Sequence, residues 1–105
     1  MQVIDGAGEF TPASPNHWVE HFAAADLSVG TYSIPAAGTD DQEPHREDEI
    51  YVITSGSADI ETPAGTARVG PGSVVYVPAG ERHAFTNIAG DLALLVVFAP
   101  AYGSR

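Results

Sequence analysis

Chain breakers constrain this sequence more than anything else in it. Eleven glycines and eight prolines fall among 105 residues, and the segments between them are short and rich in Val, Ile, Tyr, Phe and Thr. In a helix interior Gly costs about 1 kcal/mol and Pro about 3 kcal/mol relative to Ala, so breakers this frequent leave no room for long helices. Short β-branched and aromatic segments bounded by turn residues are the pattern of an all-β sandwich or barrel. The spacing predicts strands at about Trp18 to Phe22, Leu27 to Ile34, Glu49 to Thr54, Ser57 to Thr62, Thr66 to Val69, Val74 to Val77, His83 to Asn87 and Leu92 to Phe98. Ser55-Gly56 and Pro63-Ala64-Gly65 read as hairpin connections, while Gly70-Pro71-Gly72 and Pro78-Ala79-Gly80 cannot continue a ladder. Residues 1–16 read as an N-terminal arm or loop, and residues 17–105 as one β-barrel domain.

Composition narrows the chemistry. Cysteine and lysine are both absent, which removes disulfides, thiolate ligands, Schiff bases and P-loop phosphate binding. The formal charge of -10 repels phosphate backbones and anionic lipid surfaces, so neither nucleic acid nor membrane is an expected partner. The longest apolar run, Leu92 to Pro100, is about half of the ~20 residues a membrane-spanning helix needs, and no leader pattern opens the chain. A cytoplasmic setting is the expectation.

Chemistry concentrates in two places. Glu43, His45 and Glu49 are separated by even numbers of residues, so in an extended segment all three project from one face. His83, Phe85 and Asn87 share a face by the same rule. If the two strands are neighbours, two imidazoles and a carboxylate meet inside the barrel and form a divalent metal site with positions left open. Taken singly, each histidine would be an ordinary strand residue. Glu49 changes the balance, because it opens the run Glu-Ile-Tyr-Val-Ile of a strand that must be largely buried, and a buried carboxylate needs a partner. The pair His17 and His21 has the four-residue spacing of a helical zinc site, but its segment reads as strand.

These residues resemble the two motifs of the cupin superfamily, in its small single-domain form. The first motif is a glycine, an H-x-H pair, a glutamate and a glycine, matched here by Gly38, Glu43-Pro44-His45, Glu49 and Gly56. The second, G-x5-P-x-G-x2-H-x3-N, is matched by Gly72, Pro78, Gly80, His83 and Asn87 with every spacing kept. The resemblance implies a cupin-type β-barrel, a double-stranded β-helix of jelly-roll kind, holding one divalent ion (Fe, Mn, Zn or Ni) with His45, Glu49 and His83. One position departs from the motif: Glu43 stands where the first histidine belongs. Either Glu43 replaces that ligand or it points to solvent and leaves a two-His one-carboxylate site; Gln42 and Glu47 are weaker candidates.

The expected pocket is apolar and aromatic, lined by Tyr51 and Phe85 and further by Tyr32, Tyr76 and Phe98. Glu43 and Glu47 are the candidates for moving a proton. The leading expectation is a metal-dependent enzyme acting on a small molecule, an iron(II)-type dioxygenase first, an isomerase, cyclase or lyase second. The alternatives are a non-catalytic binding module and a cupin that has lost its metal. A homodimer is the expected assembly, because small sandwiches cover an apolar outer face by pairing.

Overall fold

The computed structural model describes all 105 residues. It has six strands and no helix: β1 (His17–Ala23), β2 (Ser28–Ile34), β3 (Asp48–Thr62), β4 (Gly65–Val69), β5 (Val74–Val77) and β6 (Ala84–Ala99). With no helix present, none is long and apolar enough to cross a membrane. All pairings are antiparallel, in the order β1-β2-β6-β3-β4, with β5 on β3. The architecture is therefore all-β and jelly-roll-like as expected, although this hydrogen-bonded path does not close into a ring.

Two pairs of expected strands are each one long strand. Ser55-Gly56 does not turn the chain back, because the residues on both sides of it pair with β6, from Ile53↔Leu94 to Asp59↔Thr86, with register shifts between. Both strands bulge there instead of forming a hairpin. Gly56 and Gly90 both take φ +71°, the left-handed region that glycine enters without steric cost. A bulge also switches which side chains face inward. On β3 the buried residues are Glu49, Tyr51 and Ile53 before the bulge, then Ala58 and Ile60 after it; on β6 Phe85 is buried before, and Leu92, Leu94, Val96 and Phe98 after.

This switch lets each long strand serve two arms of the fold. The first half of β3 lies between β5 and the second half of β6, which in turn carries β2 and β1. The second half of β3 lies between β4 and the first half of β6. A core of thirteen buried hydrophobic residues fills the space between the arms, including Tyr51, Ile53, Leu94 and Phe98, each such burial contributing roughly 1.5–3 kcal/mol.

Residues 1–16 contain no strand. Gly8 N donates to Thr31 Oγ1 (2.8 Å) and Thr11 N to Ser33 Oγ (3.1 Å), which covers the outward face of β2 and explains why Thr31 and Ser33 are buried along with the core-facing residues.

Candidate metal centre

Two short segments converge, one leading into β3 and one into β6. Gly80 N donates to the His45 carbonyl (2.6 Å), and Ala79 N to Asp48 Oδ1 (2.9 Å), so the Pro78-Ala79-Gly80 turn is tied to the segment entering β3. These bonds bring together two histidines from distant parts of the sequence, with ring centroids 5.6 Å apart. Between them stands Glu49, on the core side of β3 opposite Val77 and Phe98.

The nitrogen and oxygen atoms of His45, Glu49 and His83 that could bind an ion all lie within 4.8 Å of one another. His83 Nε2 is 3.2 Å from Glu49 Oε1, and His45 Nε2 is 3.9 Å from Glu49 Oε2. His83 Nδ1 lies 2.9 Å from the Glu81 carbonyl; a carbonyl only accepts, so Nδ1 carries a proton and Nε2 is the nitrogen turned to Glu49. This is the arrangement by which metal-binding imidazoles are oriented. Nε2 also lies 2.9 Å from the Tyr51 hydroxyl.

Charge in this corner is out of balance in a way a cation would correct. Glu49 is 2% exposed, and its Oε1 has no hydrogen-bond partner, a costly condition for a buried carboxylate oxygen. Burial lowers the His45 pKa more than the neighbouring carboxylates raise it, which favours the neutral imidazole. For His83, burial also lowers the pKa, but the Glu49 carboxylate and the Glu81 carbonyl outweigh it and hold the value above the ordinary one. Positive charge between His83 Nε2 and Glu49 is thus favoured. The donor set fits a divalent first-row ion, which two imidazoles and a carboxylate commonly bind.

A cavity of about 190 Å³ opens on this group, lined by Trp18, Tyr32, Gln42, His45, Glu49, Tyr51, Phe98 and Tyr102 among others. None of the four arginines lines it. Burial and then the Glu49 and Asp40 carboxylates push the Tyr51 hydroxyl far above the ordinary tyrosine value, so it stays a protonated phenol.

Of the pocket residues expected from sequence, Tyr51, Tyr32 and Phe98 line this cavity. Phe85 is buried against Tyr51, ring centroids 5.0 Å apart, but borders a separate cavity with Gly38, Thr39 and Asp40. Tyr76 is a correction: it is 59% exposed, because its register opposite Ile50 places it on the outer face. Glu43 is a second correction, being exposed and outside the cluster. Even spacing aligns side chains only along a strand, and residues 40–47 form none. Glu47 is a third: it is buried, and its Oε2 accepts from Gly103 N (3.2 Å) and Arg105 N (3.4 Å). It holds the C-terminal loop, and with it Tyr102, against the pocket. Asn87 does not share the inward face of Phe85; at φ +48° its amide turns outward to Asp59 Oδ2 (2.8 Å).

Asp40 was invisible in the sequence, one acid in an acidic stretch. It accepts from the Tyr32 hydroxyl (2.9 Å), Phe85 N (2.8 Å) and both nitrogens of Gln42, and so joins β2, β6 and the segment before β3. Trp18 was missed as well: it pairs with Tyr32 across β1 and β2, which puts both on one face, but that register is set by the tertiary pairing and not by alternation within either strand.

The family model described as the cupin domain matches residues 30–98. An uncharacterized protein of Streptomyces coelicolor is 44% identical over 88 residues, covering 84% of each chain. The protein TT1209 from Thermus thermophilus has the same fold, with a TM-score of 0.76 over 96% of this chain and 97% of its own at 21% identity. The DMSP lyase DddQ from Ruegeria pomeroyi is 25% identical, with a TM-score of 0.73 over 80% of this chain and 46% of its own.

Proposed function

The chain belongs to the cupin family, and from that premise we propose that it is a metal-dependent enzyme acting on a small molecule. One observation carries the reading: His45, Glu49 and His83 form a cluster able to hold an ion, and it adjoins an aromatic cavity in which Glu49 Oε1 is buried without a hydrogen bond. An ion bound there would act as a Lewis acid toward a substrate oxygen or as a site for oxygen activation. The chain's own residues would do the rest. Tyr32, Phe98 and Tyr102 would orient an apolar or aromatic body, and the lack of any lining cation disfavours phosphorylated and multiply anionic substrates.

Dioxygenation with iron(II) is the leading reaction class, because two imidazoles and one carboxylate leave several positions open on an octahedral ion. Elimination or isomerisation of a metal-chelated substrate is the second reading. It is favoured by the Tyr51 hydroxyl, 2.9 Å from His83 Nε2, which as a protonated phenol could donate a hydrogen bond to a substrate oxygen beside the ion, and by the likeness to a lyase. Oxygen uptake by the iron-loaded protein with a panel of aromatic and dicarbonyl compounds separates them. Consumption supports the first; turnover without oxygen, equally supported by zinc or manganese, supports the second. Loading without any turnover would favour a binding module.

The reading includes assembly as a homodimer. Ile50, Val74 and Tyr76 are exposed together on the outer face of β3 and β5, and a twofold copy would cover them. Sedimentation at a monomer mass would contradict it.

A further inference from the structure

Resting on the metal reading above, we propose that the Gln42 carboxamide oxygen is the fourth protein ligand of the ion. It would take the place left open where the first motif has Glu43 instead of histidine.

Asp40 fixes which end of the amide faces the centre. Gln42 Nε2 donates to Asp40 Oδ2 (3.0 Å), and Gln42 N donates to Asp40 Oδ1 (3.3 Å). A carboxylate accepts only, so the amide nitrogen is committed to Asp40 and the oxygen must point the other way. There Gln42 Oε1 accepts from the Tyr51 hydroxyl at 2.9 Å and from His45 Nε2 at 3.1 Å; an amide oxygen only accepts, so without an ion His45 Nε2 carries the proton of that contact, and a bound ion would take the proton's place between the two atoms. The amide oxygen is thus aimed at the same point as two of the atoms around the candidate site.

Two of the three separations agree with a shared ion as they stand. Bonds of about 2.1 Å at right angles put neighbouring ligand atoms about 3.0 Å apart, and tetrahedral angles put them about 3.4 Å apart. Gln42 Oε1 to His45 Nε2, at 3.1 Å, and Glu49 Oε1 to His83 Nε2, at 3.2 Å, both fall between these values, while His45 Nε2 to Glu49 Oε2, at 3.9 Å, would have to close on binding. Glu43 is exposed and makes no such approach. An amide oxygen carries no charge, so a centre of two imidazoles, one carboxylate and one amide keeps a net positive charge with a divalent ion. With Glu43 as the fourth ligand that charge would be cancelled. Gln42 therefore sets the ion's strength as a Lewis acid as well as its geometry.

Cobalt(II) binding to the full chain, followed by equilibrium dialysis and by visible ligand-field absorption, tests the assignment. Gln42→Leu and Gln42→Asn, the latter keeping an amide but withdrawing it by one methylene, are expected to weaken binding at least about 10- to 100-fold, the range for losing even a residue that only orients a ligand, and to move the absorption bands. Gln42→Glu also weakens binding, because it sets a carboxylate against Asp40 Oδ2 where the amide nitrogen donated at 3.0 Å, and Glu43→Leu changes neither affinity nor spectrum. Wild-type affinity and spectrum in Gln42→Leu, alongside lost binding in His45→Ala, overturns the role of Gln42 and leaves the three-residue centre standing. Wild-type binding in His45→Ala as well overturns the centre itself. A Glu43→Leu variant that loses affinity would also overturn the assignment in favour of the carboxylate.

Discussion

Glu49 and His83 are 2% and 1% exposed at the side chain and 3.2 Å apart, so each controls the electrostatic cost of the other. Removing the imidazole strands a buried carboxylate, whereas neutralising the carboxylate removes the charge that had to be buried. In protein stripped with chelator, His83→Ala is expected to lower unfolding stability by roughly 3–5 kcal/mol, and Glu49→Gln to leave it unchanged or raise it. Urea unfolding of the three proteins checks this; equal losses in both variants would mean that the two side chains do not act as a pair. The same pair explains what could be read at this scale. Glu49 stood out because a carboxylate in a β-branched run must be buried, and His83 because the turn before it fixed its spacing. Glu43 and Tyr76 could not be placed correctly, since the first lies in a bent segment where alternation has no meaning and the second depends on a strand register that only tertiary pairing sets.

At the scale of elements, the misread feature was the pair of bulges. A Ser-Gly dipeptide between two β-branched runs is a hairpin signal, and nothing local distinguishes it from a bulge in a strand paired along its whole length. The inward residues do, once known, by changing from odd to even positions across it. Gly56 is the residue this geometry depends on: at φ +71° a side chain there would put its Cβ 2.5 Å from the Asp91 carbonyl oxygen. Gly56→Ala is expected to cost at least about 1–3 kcal/mol, the range for strained backbone, read as a lowered urea midpoint. A midpoint equal to wild type would contradict the bulge.

Across the second arm, Asp59 accepts from Asn87 Nδ2 (2.8 Å) and Arg68 Nη1 (3.3 Å). The Asn87 bond lowers its pKa, burial opposes this, and the Arg68 bond and charge lower it further. Because the folded value lies below the unfolded one, the stabilisation is present above about pH 4 and is lost as pH falls through the folded value. Wild type is expected to exceed Asp59→Asn in urea midpoint at pH 6, with the gap closing as pH falls below that of an ordinary carboxylate. A gap that widens on acidification would contradict it.

For the whole molecule, a charge of -10 and a cavity without a lining arginine point the same way: a divalent ion beside Glu49 is the one strong positive charge the site would have for drawing a substrate oxygen. All-β class and family motifs were legible because turn residues keep their spacing in the chain. The pocket was only half legible, because Trp18 and Tyr102 reach it from β1 and the C-terminal loop, which no motif covers. The central claim is that His45, Glu49 and His83 together hold one ion, and metal content per chain after iron or cobalt loading and desalting tests it most directly. About one equivalent is predicted for the wild type, as one such ligand set binds one ion, with none retained by His83→Ala or Glu49→Ala. Less than about a tenth of an equivalent in the wild type, or equal retention by the variants, would contradict it.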